Sequence, residues 1–140
     1  MSKFEIYKGK DKDPKECWRW RLLDNNHKNI ARSEEAFRKE NVVRSIEIMR
    51  LHVTPETPII FESIIIFEGD PEEDTSEYRF IIFKSEKDGQ WYWRLRAGGN
   101  NEMMAIGGEG FSSKDSAKRA TENARLEIYR TDKIEWENSD

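Results

Sequence analysis

Two short segments, Trp18-Arg19-Trp20-Arg21-Leu22 and Trp91-Tyr92-Trp93-Arg94-Leu95-Arg96, carry the residues best suited to chemistry in this sequence. In an extended strand successive side chains point to opposite faces, so Trp18, Trp20 and Leu22 share one face while Arg19 and Arg21 share the other. The same alternation sets Trp91, Trp93 and Leu95 against Tyr92, Arg94 and Arg96. Guanidinium groups hold phosphates, and both they and tyrosine stack on bases. Arg19, Arg21, Tyr92, Arg94 and Arg96 on one sheet face are therefore a candidate surface for single-stranded nucleic acid. The competing reading is cross-strand pairing of these arginines with Glu5, Glu102 and neighbouring carboxylates, which leaves a solvated, neutral face. The net charge of −4 weighs toward that second reading.

Other motifs give less. Gly107-Gly108-Glu109-Gly110 followed by Ser112-Ser113-Lys114 invites comparison with a phosphate-cradling loop, but a carboxylate sits inside it and the spacing is not that of G-x-x-x-x-G-K-S/T. Glycines easing a strand-to-helix turn explain it more simply. Glu34, Glu35 and Glu109 are of the right type for paired acid and base work, yet no spacing brings them together. His27 and His52 lack partners at metal-ligand spacing, and His27 reads as a hairpin-tip residue. The acidic stretch from Glu68 to Glu77 lacks the alternating Asp/Asn and central glycine of a calcium loop. Cys17 is the only cysteine, with no histidine beside it to activate it. No catalytic residue, metal or cofactor is expected, and no class of reaction is indicated.

The elements that position these residues follow from an internal repeat. Phe4-Glu5-Ile6-Tyr7-Lys8 corresponds to Phe80-Ile81-Ile82-Phe83-Lys84, the two tryptophan segments correspond to each other, and Ala31, Glu35 and Phe37 correspond to Ala105, Glu109 and Phe111. Alternation over β-branched and aromatic runs predicts strands at Phe4–Lys8, Trp18–Leu23, Phe80–Lys84 and Trp91–Arg96, with third strands at Asn29–Ser33 and Glu102–Gly107. Asp88-Gly89 signals a two-residue hairpin turn, Asp24-Asn25-Asn26 and Gly98-Gly99-Asn100-Asn101 mark the next turns, and the first copy has a longer tip around Asp13-Pro14. Helical periodicity places Val43, Ile46, Met49 or Arg50, and Val53 on one apolar face, and Ala117, Ala120, Ala124 and Ile128 on another. Ser112, Ser113 and Asp115 form a capping start for the second helix, whereas Asn41 is the best cap available to the first. Extended segments at 58–67 and 133–137 then give two β-β-β-α-β units: residues 1–67, an acidic linker 68–77, and residues 78–138.

With F-x-x-Y/F-K, W-R/Y-W-R-L and a helix after F-S-S-K, these residues resemble the YegP-like family. The second copy matches through Phe80 to Lys84, Trp91 to Leu95 and Phe111-Ser112-Ser113-Lys114; the first departs from the pattern at Arg38-Lys39, where Ser-Ser is usual. The resemblance implies an α+β fold of two tandem β(3)-α-β repeats. They would form one continuous antiparallel sheet with two helices on one face and the final strands exchanged between repeats. It implies no established activity. Exchange is physically reasonable, because a unit of roughly 65 residues buries only about 60% of the surface its unfolded chain exposes. Ile59, Phe61, Ile64, Ile65 and Phe67 would otherwise form an exposed apolar edge, so Ile65→Asp is expected to unfold or aggregate the chain.

Composition bounds the function. At 140 residues, 36% hydrophobic and 11% aromatic, the chain can build one core, and no apolar run approaches the ~20 residues of a spanning helix. The expectation is a cytoplasmic monomer or homodimer with no membrane contact. A non-catalytic protein-interaction module is the first reading. Single-stranded nucleic-acid binding on the arginine face, and a small-molecule or enzymatic cleft between the repeats, are the alternatives.

Overall fold

The computed structural model describes residues 2–10, 15, 17–62, 77–99 and 102–137. Its elements are β1 (Lys3–Lys8), β2 (Trp18–Leu23), β3 (Asn29–Arg32), α1 (Lys39–His52), β4 (Ile59–Glu62), β5 (Arg79–Lys84), β6 (Trp91–Arg96), β7 (Met103–Ile106), α2 (Lys114–Arg130) and β8 (Ile134–Trp136). The order is β-β-β-α-β twice over, as the periodicity predicts. The Asp13-Pro14 tip, Asn100 and Asn101, the apolar residues Ile64, Ile65 and Phe67, and the linker as far as Ser76 lie outside the described residues.

All the strands join one eight-stranded sheet in the order β4-β5-β6-β7-β3-β2-β1-β8. Each half is an antiparallel meander, and the halves meet antiparallel where Arg32 of β3 stands opposite Ile106 of β7. The final strands are exchanged: β4 lies beside β5, and β8 beside β1. These two pairings are parallel, so the sheet is mixed and the expectation of a wholly antiparallel sheet is corrected. Exchange itself is the reason. Because the halves meet antiparallel, strands of one run inverted relative to the other, and a strand that would oppose its own half's first strand runs along the other half's.

Register repeats across the seam. Ile6 faces Trp20 as Ile82 faces Trp93, Phe4 faces Leu22 as Phe80 faces Leu95, and a bulge follows at Leu22/Leu23 and at Leu95/Arg96. Beyond each second strand, Trp18 bridges Phe37 and Trp91 bridges Phe111. The inward residues Phe4, Ile6, Trp20, Leu22, Phe80, Ile82, Trp93 and Leu95 form one core with both helices on the same face. Ala31 and Ala105 in the central strands are fully buried, and their small side chains let the helices approach the seam.

The helix faces need two corrections. In α1 and its C-cap the buried row is Val42, Ile46, Met49 and Val53, so Val42 replaces the expected Val43 and the spacing is i, i+4, i+7, i+11. In α2, Thr121 is buried and Ala120 is not; the Thr121 hydroxyl donates to the Ala117 carbonyl at 2.7 Å, which makes its burial affordable. The caps differ as well. Ser113 accepts from the Ser116 amide at 3.0 Å, whereas α1 starts at Arg38 with no side-chain cap and Asn41 falls inside its first turn.

The turns show why particular residues are needed. The Asp24 carboxylate accepts from the Asn26 and Lys28 amides at 2.8 and 2.9 Å, and His27 at the tip takes φ 62°. Asp88-Gly89 is not a two-residue turn: Ser85 and Gln90 pair across a loop of Glu86 to Gly89, and Gly89 alone has positive φ, at 71°. Gly107 is required by space and not by φ, since a Cβ there would lie 2.5 Å from Trp93 Nε1. Gly110 is similar, with Tyr92 Cζ 2.8 Å from where a Cβ would be.

Candidate functional site

The expected arginine face is the face of the sheet away from the helices, and its two halves are built alike. In the first, the Arg21 guanidinium reaches Glu5 at 2.6 Å and Glu137 at 3.1 Å and lies 4.4 Å over the Tyr7 ring. Beside it Glu135 takes Lys3 at 2.8 Å and Lys133 at 2.9 Å. Hydrogen bonds from these two lysines hold the Glu135 carboxyl down at about 2, and the same contact raises the Lys3 ammonium above its ordinary value. The Arg19 guanidinium donates to the Glu34 carbonyl at 3.1 Å.

In the second half Arg94 stands 3.9 Å from Glu62 and 4.4 Å over the Phe83 ring, which stacks on Tyr92. The Tyr92 hydroxyl donates to Asp88, lowering the Asp88 carboxyl and raising the phenol. Arg96 lies opposite Arg79 in register. The five residues singled out in the sequence thus share a face but not a cluster. β2 and β6 are separated by β7 and β3, so the two sets stand about 14 Å apart at the usual strand spacing. Arg32 lies between them on β3, a position not marked by either tryptophan segment.

A cleft between the repeats is among the sequence expectations, but its residues are not legible there. Where α1 of the first half meets β7 and the β6–β7 turn of the second, a cleft of about 440 Å³ is lined by Phe37, Ile48, Tyr78, Met103 and Met104, with Asn41, Arg44, Ser45, Glu35 and Glu102 supplying polar groups. Burial, then the Glu102 and Glu34 charges, raise the Glu35 carboxyl. Burial and Glu102 also raise the Tyr78 phenol, whose ring stacks on His52 at 4.6 Å. Asn41, Ser45 and Ile48 recur at helical spacing beside the core face of α1, the one signal available beforehand. What faces them depends on how the halves are joined.

The remaining candidates are placed plainly. Glu109 sits 3.7 Å from Lys28 across the seam, apart from the Glu35 and Glu102 pair. Cys17 is buried, and among the described residues no group of three metal-ligating side chains converges. No helix among the described residues is long and apolar enough to cross a membrane.

Residues 86–126 match the family described as a domain of unknown function (DUF1508). No curated protein matches the sequence. Two solution NMR structures are similar in fold. One is yegP of E. coli, a protein of unknown function, at 15% identity and TM-score 0.65, covering 99% of this chain and 95% of that one. The other is a UPF0339 protein from Shewanella oneidensis, at 16% identity and TM-score 0.63, covering 96% and 90%. The fold of this chain is the YegP-like fold, and the resemblance carried by its W-x-W-R-L segments and F-S-S-K helix start is borne out by these matches.

Proposed function

We propose that the chain is a cytoplasmic, non-catalytic protein-interaction module that takes an extended segment of a partner as a further strand beside β8. One observation carries this reading: β8 ends the sheet with an exposed tryptophan, Trp136, on a strand whose outer backbone groups point away from the protein. Phe4 N–H donates to Lys133 O and Glu137 N–H to Ile6 O, so Lys133 and Glu137 face β1. Alternation then turns the amides and carbonyls of Ile134 and Trp136 outward. Trp136 is 44% exposed, packs edge-on against Trp18 at 5.3 Å, and lies with it beneath the Lys39 ammonium.

A strand added here by main-chain hydrogen bonding would present alternate side chains to the two faces. An apolar one would meet Trp136 on the helix side, and an acidic one would meet Lys133 on the open side. Two copies pairing through β8 about its centre would instead set Glu135 against Glu135, so the chain is read as a monomer. The test is selection from a displayed library of random extended peptides. Alternating apolar and acidic sequences should be enriched and should lose binding to Trp136→Pro, which removes the outward amide, while Trp136→Phe keeps it. An unenriched library, or peptides indifferent to Trp136→Pro in a folded variant, would sink the reading.

The arginine face has less to recommend it as a nucleic-acid surface, because Arg21 and Arg94 already hold carboxylates and aromatic rings.

A further inference from the structure

We infer that the cleft between the halves binds a small organic cation, an alkylammonium with an apolar body. This stands independently of β8, which lies at the far edge of the sheet. The cleft's volume of about 440 Å³ falls within the range of small-molecule sites, which are mostly apolar with a few placed polar groups. Phe37, Ile48, Tyr78, Met103 and Met104 provide the apolar wall, and aromatic faces and thioethers suit a cation with a hydrocarbon body. The polar end is Glu35, brought next to Glu102 from the other half.

The charge around Glu35 gives the sign. The groups that act on its carboxyl are Glu102 and Glu34, both negative, and it makes no ion pair among the described residues. Arg44 also lines the cleft, a single cation against the two carboxylates of Glu35 and Glu102. A carboxylate that lines an apolar cleft and faces like charges is stabilised by an incoming cation, and binding must then draw its proton affinity back down.

The counterpart at the other end of the molecule shows that this is not a property of the fold alone. There α2 meets the β2–β3 turn around a cleft of about 380 Å³ lined by Ser2, Asp24, Asn26, Asn123, Glu127 and Arg130 among other polar residues. Three carboxylates line it, Asp24, Glu127 and Asp132: Glu127 accepts from the Ser2 hydroxyl at 2.7 Å and is paired with Arg130, and Asp24 accepts from the Asn26 and Lys28 amides. Among the described residues no aromatic or methionine side chain lines it. Two clefts of related construction therefore differ in that one is lined by polar groups and the other sets the Glu35 and Glu102 carboxylates against an apolar wall.

The probes are 2-phenylethylammonium, its neutral isostere 2-phenylethanol, and 3-phenylpropionate, each titrated into the intact ¹⁵N-labelled chain at pH 7. The ammonium should bind at least tenfold more tightly than the alcohol, the propionate should not bind, and amide shifts should concentrate at Glu35, Asn41, Ser45, Ala97 and Met103. Glu35→Gln should reduce ammonium affinity to that of the alcohol without altering the alcohol's own. Lowering the pH through the raised Glu35 value should release the ammonium and spare the alcohol. Equal affinity for ammonium and alcohol, shifts confined to another surface, an unaffected Glu35→Gln variant, or no saturable binding at millimolar probe would each overturn the assignment.

Discussion

The two halves of the open sheet face use one arrangement with different side chains. In each, an arginine on the second strand lies 4.4 Å over an aromatic ring on the first and reaches a glutamate at or just beyond the end of the exchanged strand: Arg21 with Tyr7 and Glu137, Arg94 with Phe83 and Glu62. Around that shared motif the halves diverge. Where the first has Glu5 and Glu135, the second has Ile81 and Ile60 at the matching register. The helix-covered face has drifted much less, since Phe4, Ile6, Trp20 and Leu22 find Phe80, Ile82, Trp93 and Leu95 at the same places. Packing against the helices constrains shape, whereas the other face admits either paired charges, as at Glu5 and Glu135, or apolar side chains, as at Ile81 and Ile60, so the difference between halves is concentrated there.

The strongest way to break the comparison is at the end of the third strand, where the halves solve one crowding problem differently. Trp20 takes a hydrogen bond from its backbone N–H to Ser33 Oγ at 3.3 Å, while Trp93 leaves room only for Gly107. Gly107→Ala should cost about 3 kcal/mol, because the new methyl meets an indole ring that is itself only 2% exposed. Ser33→Ala should cost about 1 kcal/mol, the loss of one hydrogen bond. Urea unfolding of both variants checks this. Equal losses would mean that the Trp93 ring can shift and that the glycine is incidental.

Exchanging the divergent residues probes the open face itself. Ile81 is 3% exposed, so Ile81→Glu forfeits about 1.5–3 kcal/mol of apolar burial, of which a new pair with Arg94 returns at most about 1 kcal/mol. Glu5→Ile should cost within about 1 kcal/mol, because Arg21 keeps Glu137 and Tyr7. Comparable losses in thermal unfolding would show that the second half is as polar in practice as the first.

The helix starts differ by a smaller margin. Ser113→Ala should cost about 1 kcal/mol, and Arg38→Ser should gain a comparable or smaller amount, since Arg38 already has the extended backbone of a cap (φ −70°, ψ 152°) without the side chain to use it. A stability gain in guanidinium titration confirms that the first helix lacks only the hydroxyl; no change would mean that water already serves its amides.

What the sequence made legible follows the same division. Trp-x-Trp alternation and the repeated Phe–Lys run located the strands and the covered face, because strand period and core packing are local and repetitive. The parallel pairing of β4 and β8 was not legible, since it depends on which half each strand joins. Neither were the residues of the cleft: the repeat equates Glu35 with Glu109, but the fold sets it beside Glu102 and sends Glu109 to Lys28. Repeat equivalence predicts where residues sit within a unit and is silent on what meets across a seam.

The last contrast is electrostatic. Glu135 is held at about 2 by Lys3 and Lys133, whereas Ile60, at the matching place in the second half, cannot titrate. Because the folded value is depressed below the unfolded one, this pair stabilises the fold above the ordinary carboxylate range and the contribution is lost as pH falls toward 2. Glu35 works in the opposite sense: its value is raised by burial and by the Glu102 and Glu34 charges, so protonating it in acid removes a repulsion, and the Glu35→Gln variant should gain stability at pH 7 and lose that advantage in acid. Both carboxyls are solvent-exposed enough for salt to screen them, so the effects are small and are best read by carboxyl carbon NMR titration, with Tm followed in parallel. A Glu135 midpoint in the ordinary range would show that the lysines do not hold it in solution. The first half of the open face would then be no better neutralised than the second.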